Sequence, residues 1–117
     1  MKVCINLIEN DVSGSKKPKQ IESLFEKIEI CIDTGHFGLS QHAILRQNMR
    51  LINLNHILYV LRNGFHEKRK TVFDSTFNTW KYAIRGSTFD DLDIRIIVAF
   101  DQDDMLIITV MHVLERK

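Results

Sequence analysis

The chain has a single proline and only five glycines in 117 residues, which excludes collagen-like repeats and argues against long disordered tracts. It has two cysteines, Cys4 and Cys31, far apart and in neither metal nor redox spacing, so a disulfide framework is not expected and a reducing cytoplasm is the simplest location. No apolar run approaches the roughly 18 residues of a membrane span, and Met1 to Ile8 is too short and too polar-flanked for a signal peptide. An excess of one charge is also missing. Sixteen basic residues against fifteen acidic ones leave a net charge of +1, so contact with nucleic acid has to come from local patches. What remains is an ordinary globular composition, 44% hydrophobic and 26% charged, long enough for one domain with its own core.

Residues 1–19 read as a segment apart. Val3, Ile5 and Leu7 alternate with polar neighbours as a short strand would, and Asp11 to Lys19, with Ser-Gly-Ser and lysines around Pro18, reads as a linker. Residues 20–117 form the domain. From about Gln20, Ile21, Leu24, Phe25, Ile28 and Cys31 or Ile32 recur at helical spacing, predicting an amphipathic helix that Gly35 and Gly38 end. Ser40 is placed to cap a second helix and Asn53 a third, whose Leu54, Ile57, Leu58 and Leu61 form an apolar face before Gly64.

Beyond Gly64 the period changes to that of strands. Phe65 to Phe73, Thr79 to Arg85, Leu92 to Phe100 and Met105 to Leu114 are rich in β-branched and aromatic residues, and the last two are joined by the tight turn Asp101-Gln102-Asp103-Asp104. The expected fold is α+β, with N-terminal helices packed on one face of an antiparallel four- to five-stranded sheet. Alternation puts Trp80, Tyr82, Ile84, Ile94, Ile96 and Val98 toward the helices. It leaves Lys81, Arg85 and Arg95 on the opposite, partly apolar face.

The chemistry-bearing feature is Ser40 to Arg50, where His42, Arg46 and Arg50 recur every four residues and so make one stripe on a helix. Cutting RNA without a metal requires a base for the ribose 2′-hydroxyl, cations for the charge building on phosphorus, and an acid for the leaving oxygen. His42, in the first helical turn, is a candidate base, and Glu67 is another. Arg46 and Arg50, with Lys81 or Arg95, are candidates to hold phosphate, Tyr82 to stack or donate its hydroxyl, and Lys68 in the basic run Glu67-Lys68-Arg69-Lys70 to touch the RNA backbone. Each has a plainer reading: His42 as a capping or packing residue, Arg46 as the ion-pair partner of an acid such as Glu67, Lys81 and Arg85 as a solvated sheet face, Tyr82 as core, and the basic run as a charged edge strand. His36, reading as a loop residue, and His56, reading as a helix-flank residue, share no zinc-ligand spacing with His42, His66 or His112. The acidic turn lacks the glycine and distal glutamate of a calcium loop. Neither metal nor organic cofactor is expected.

His42-Ala43, Arg46 and Arg50, then Asn55 to Leu61, then Gly64-Phe65-His66-Glu67, together with the closing Ile107-Ile108-Thr109-Val110, resemble the domain of unknown function 4258 family. Leu51 stands where that family usually has glycine. The resemblance covers about residues 21–113 and implies a fold similar to the RelE-like and motility-quorum-sensing-regulator-like toxins, which are small metal-independent ribonucleases paired with antitoxins. Two functions follow as expectations: a toxin-type endoribonuclease using His42, Arg46 and Glu67, with RNA as substrate and an antitoxin as partner, or a non-catalytic protein-interaction module of the same fold.

Overall fold

The computed structural model describes residues 17–113; the strand expected over Met1 to Ile8 and most of the expected linker lie outside them. In α1 (Leu24–Thr34), Leu24, Ile28, Cys31 and Ile32 form the buried stripe, and Gly35 ends the helix at φ +78, a left-handed conformation that costs glycine little. The helix begins four residues later than its periodicity suggests. The chain ahead of it is tied to the sheet instead: the indole of Trp80 donates to the Pro18 carbonyl at 2.7 Å, and the Ile21 N–H donates to the Tyr82 hydroxyl at 2.9 Å.

Between the glycines expected to end the first helix and the Ser40 cap, three residues form β1 (Phe37–Leu39), with Gly38 inside it. The helix α2 (Gln41–Arg50) starts as expected, the Ser40 hydroxyl accepting from the Ala43 N–H at 3.0 Å. It ends at Leu51, which sits at φ 57, ψ 39. This is the left-handed position at which the glycine usual in the resembled family would be unstrained. In α3 (Leu54–Asn63), Asn53 caps the His56 N–H while the His56 ring accepts from the Asn53 N–H, a reciprocal cap with histidine in the role usually taken by glutamate.

The remaining strands are β2 (Phe65–His66), β3 (Val72–Asp74), β4 (Thr79–Ser87), β5 (Asp93–Asp101) and β6 (Asp104–His112). They assemble in the order β1-β6-β5-β4-β2, with β3 also paired to β4. Two expectations need correction. The sheet has six strands and is mixed, because β1 pairs parallel to β6 while every other pairing is antiparallel. The single strand expected over Phe65 to Phe73 is broken by a 3-10 turn at Lys68–Lys70, closed by Lys70 N–H to the Glu67 carbonyl and Thr71 N–H to that of Lys68. The Thr71 hydroxyl then accepts from the Ala83 N–H at 3.1 Å, replacing the missing ladder bond.

The core lies between the sheet and helices α1 and α3, where Ile28, Ile57, Val60, Ile84, Ile94, Ile96, Val98, Ile107 and Val110 are fully buried. A bulge at Ile108, between the Ile97–Thr109 and Val98–Ile107 pairs, lets Ile107 and Val110 both face this core despite their odd spacing. Helix α2 lies instead along the edge of β6 that β1 is too short to cover. There the Ser40 hydroxyl donates to the Ile108 carbonyl and the Arg50 guanidinium to that of Val110, each at 2.8 Å. Among the described residues no helix packs on the face of β4, β5 and β6 turned away from the core, and it holds Lys81, Arg85 and Arg95.

Candidate functional site

In the β4–β5 pairing Arg85 stands directly opposite Arg95. Two cations in that position repel unless an anion joins them, and Glu67 supplies it. As the residue after β2, with its N–H on the Ala83 carbonyl, Glu67 projects onto the open face. Its two carboxylate oxygens accept from Arg95 Nε at 2.6 Å and Nη2 at 3.0 Å, a bidentate pair, and from Arg85 Nη1 at 3.4 Å. Arg85 also reaches Asp93, through Nε at 3.2 Å and Nη2 at 2.8 Å. The three central side chains are only 13–18% exposed. The hydrogen bond from Arg95 is the main cause holding the Glu67 carboxyl below its ordinary value, against the opposing effect of burial; Arg85 adds to it.

The expected constellation divides in two. His42 and Arg46 do meet, Arg46 Nε donating to His42 Nε2 at 3.4 Å on the outer part of α2, where the imidazole is exposed. Glu67, however, is paired with Arg85 and Arg95, not with Arg46. The α2 pair borders the β6 edge and Glu67 borders β4, so the width of three strands, spaced about 4.8 Å apart, lies between them.

The other expected contacts are placed as follows. Arg50 secures α2: besides its bond to Val110, its carbonyl accepts from the His112 ring at 3.0 Å. Lys81 pairs with Asp74 at 3.0 Å, the main reason the Asp74 carboxyl lies below its ordinary value. Lys68 is exposed on the 3-10 turn. Tyr82, 2% exposed with its hydroxyl on the Ile21 N–H, is a core residue whose ring is closed to stacking, and burial raises its pKa. His56 is more than a helix-flank residue. Only 6% exposed, it stacks on Phe89 at 4.9 Å and donates from Nε2 to Asp90 at 3.2 Å, clasping the β4–β5 loop to α3. Among the described residues, no group of three or more histidine, cysteine, aspartate or glutamate side chains is placed to hold a metal ion.

The residues not foreseen as site residues are Arg85 and Asp93. A signal for them existed in the hairpin, because a loop centred on Asp90 sets Ser87 against Asp93 and therefore Arg85 against Arg95. Two facing arginines require an acid between them.

The fold and this cluster define a small α+β protein with a carboxylate clamped by two guanidinium groups on an open sheet face. The family described as "Domain of unknown function (DUF4258)" matches residues 39–112, and the chain belongs to it. No curated protein matches the chain. No helix among the described residues is long and apolar enough to cross a membrane.

Proposed function

We propose that this chain is a toxin-type, metal-independent endoribonuclease of RelE-like fold, with its reaction centre at Glu67, Arg85 and Arg95. The observation that carries the reading is the bidentate Glu67–Arg95 contact, at 2.6 and 3.0 Å, beside Arg85 on an open sheet face. Guanidinium groups that bond a carboxylate also bond a phosphodiester. An RNA phosphate entering the cluster competes with Glu67 for the same N–H groups. As they turn to phosphate, the carboxylate loses the partners that keep its pKa low and becomes a better base.

Glu67 then takes the proton of the ribose 2′-hydroxyl, whose oxygen attacks phosphorus. Arg85 and Arg95 hold the charge that develops on the phosphate oxygens. The bond to the 5′-oxygen breaks, leaving a 2′,3′-cyclic phosphate and a 5′-hydroxyl end. The leaving oxygen takes its proton from water, and Glu67 returns to solvent the proton it took; His42 and Arg46, the width of three strands away, are candidates to hold the flanking RNA backbone. An antitoxin would cover this face and shield Arg85 and Arg95.

Incubation of an unstructured RNA with the chain in excess chelator tests the proposal. Cyclic-phosphate ends are expected, and their loss in Glu67→Gln. RNA left intact by a folded wild-type chain would refute it. The rival, a non-catalytic interaction module, draws on the exterior of α2, where Ile44, Leu45, Met49 and Leu51 are 43%, 57%, 63% and 84% exposed.

A further inference from the structure

The open face carries a second feature, further along the same strands. A cleft of about 480 Å³ is lined by Phe77, Ala99, Leu106 and Ile108, with Lys81 and Asp74 among its polar groups. Lys81 is four residues from Arg85 on β4, and Ala99 four from Arg95 on β5, so both lie on the face of the arginine cluster, about 13 Å along the strands from it. Leu106 pairs with Ala99 and continues the apolar floor onto β6.

We propose that this cleft receives an unpaired base of an RNA strand whose scissile phosphate sits at Arg85 and Arg95; the assignment of the strand's direction of chemistry rests on the ribonuclease reading. Its volume is at the lower end of the range for small-molecule sites and suits a single nucleoside. Phe77, 76% exposed at the β3–β4 turn, presents a ring on which a base can stack, and the apolar floor covers the opposite side. Lys81 and Asp74, 3.0 Å apart, set a donor beside an acceptor. Asp74 is held in place, because one of its oxygens also accepts from the Thr76 and Phe77 N–H groups at 2.9 and 3.3 Å.

Each of the four bases shows a donor next to an acceptor on its Watson–Crick edge, and that edge is available only when the base is unpaired. The cleft therefore selects single strands over duplexes rather than one base over another. The base belongs to a nucleotide near the scissile bond but not at it.

The test is binding of a 2′-O-methyl hexaribonucleotide, which cannot be cut at its 2′ position, to the isotopically labelled chain. Chemical-shift changes are expected at Phe77, Lys81, Ala99 and Leu106 with the single strand and not with its annealed duplex. Phe77→Ala, at an exposed position that leaves the core untouched, should weaken binding by about tenfold, the effect of losing one stacking ring. Shifts confined to other surfaces, undiminished affinity in Phe77→Ala, equal binding of the duplex, or no binding would each overturn the assignment. Binding through the cleft with no cleavage of ordinary RNA would remove the ribonuclease reading and leave the base site standing. Cleavage unaffected by Phe77→Ala, with no shifts in the cleft, would do the reverse.

Discussion

Replacing Glu67 by glutamine removes one negative charge from between Arg85 and Arg95 while keeping the side chain's shape. Taking one partner from a fully buried ion pair costs about 3–5 kcal/mol. Here the groups retain 13–18% exposure, the glutamine carbonyl still accepts from one guanidinium, and Asp93 still pairs with Arg85 at 2.8 Å. About 2 kcal/mol is therefore expected, equivalent to a fall of roughly 10 °C in Tm for a domain of this size. The pH dependence has a definite sign. The folded-state pKa of Glu67 is lowered, so its stabilisation is complete above the ordinary glutamate value of about 4.3 and is lost as pH falls through the lowered value. Thermal melts of the wild type and Glu67→Gln should differ most near neutrality and converge in acid. Adding Arg95→Met should return part of the loss, because it removes the cation whose bidentate pair with Glu67 has been broken. A fall in Tm below about 3 °C at neutral pH, or a gap that persists unchanged in strong acid, would refute this account of the cluster.

Other perturbations separate structure from chemistry. His42→Ala should leave Tm nearly unchanged, since the imidazole is exposed and its contact with Arg46 is 3.4 Å, and should weaken RNA binding while sparing the cleavage step; a large loss of Tm would assign His42 to folding. Leu51→Gly should stabilise the chain by about 1 kcal/mol in denaturant melts, relieving a non-glycine residue at φ 57; destabilisation would mean that the 84% exposed leucine makes contacts of greater worth. Gly64→Ala should destabilise by about 2–3 kcal/mol, because a Cβ there would lie 2.5 Å from the Arg85 carbonyl oxygen and 2.7 Å from that of Val60; an unchanged midpoint would show that α3 can move off β4.

Periodicity reaches as far as contacts repeat. The buried stripes of α1 and α3, the caps at Ser40 and Asn53, and the core-facing alternation of β4 and β5 are each set by neighbouring residues, and all are legible in the sequence. Strand β1 is not, because three residues carry no period and its pairing to β6 spans most of the domain. The break after Glu67 is likewise silent: Lys68, Arg69 and Lys70 are as compatible with a charged edge strand as with a turn, and the turn is completed by a long-range bond between Thr71 and Ala83. Phase is equally hard to read through a bulge, so Ile107 and Val110 look as if they face opposite ways. Pairing of side chains across elements is lost for the same reason. His42 and Arg46 are one turn apart and their contact follows from the helix, whereas the partner of Glu67 depends on which strand lies beside it.

That dependence bears on how a clamped glutamate can act as a base. Among the described residues, Glu67 pairs with two guanidinium groups and Arg85 with the carboxylates of both Glu67 and Asp93, so Asp93 keeps Arg85 oriented even when Glu67 lets go. An arriving phosphate can then displace Glu67 without displacing Asp93. If Asp93 has this role, Asp93→Asn should weaken phosphate binding while preserving the Glu67–Arg95 contact, raising KM more than it lowers kcat in the RNA-cleavage assay. Loss confined to kcat would place Asp93 nearer the reacting atoms than its contact with Arg85 implies.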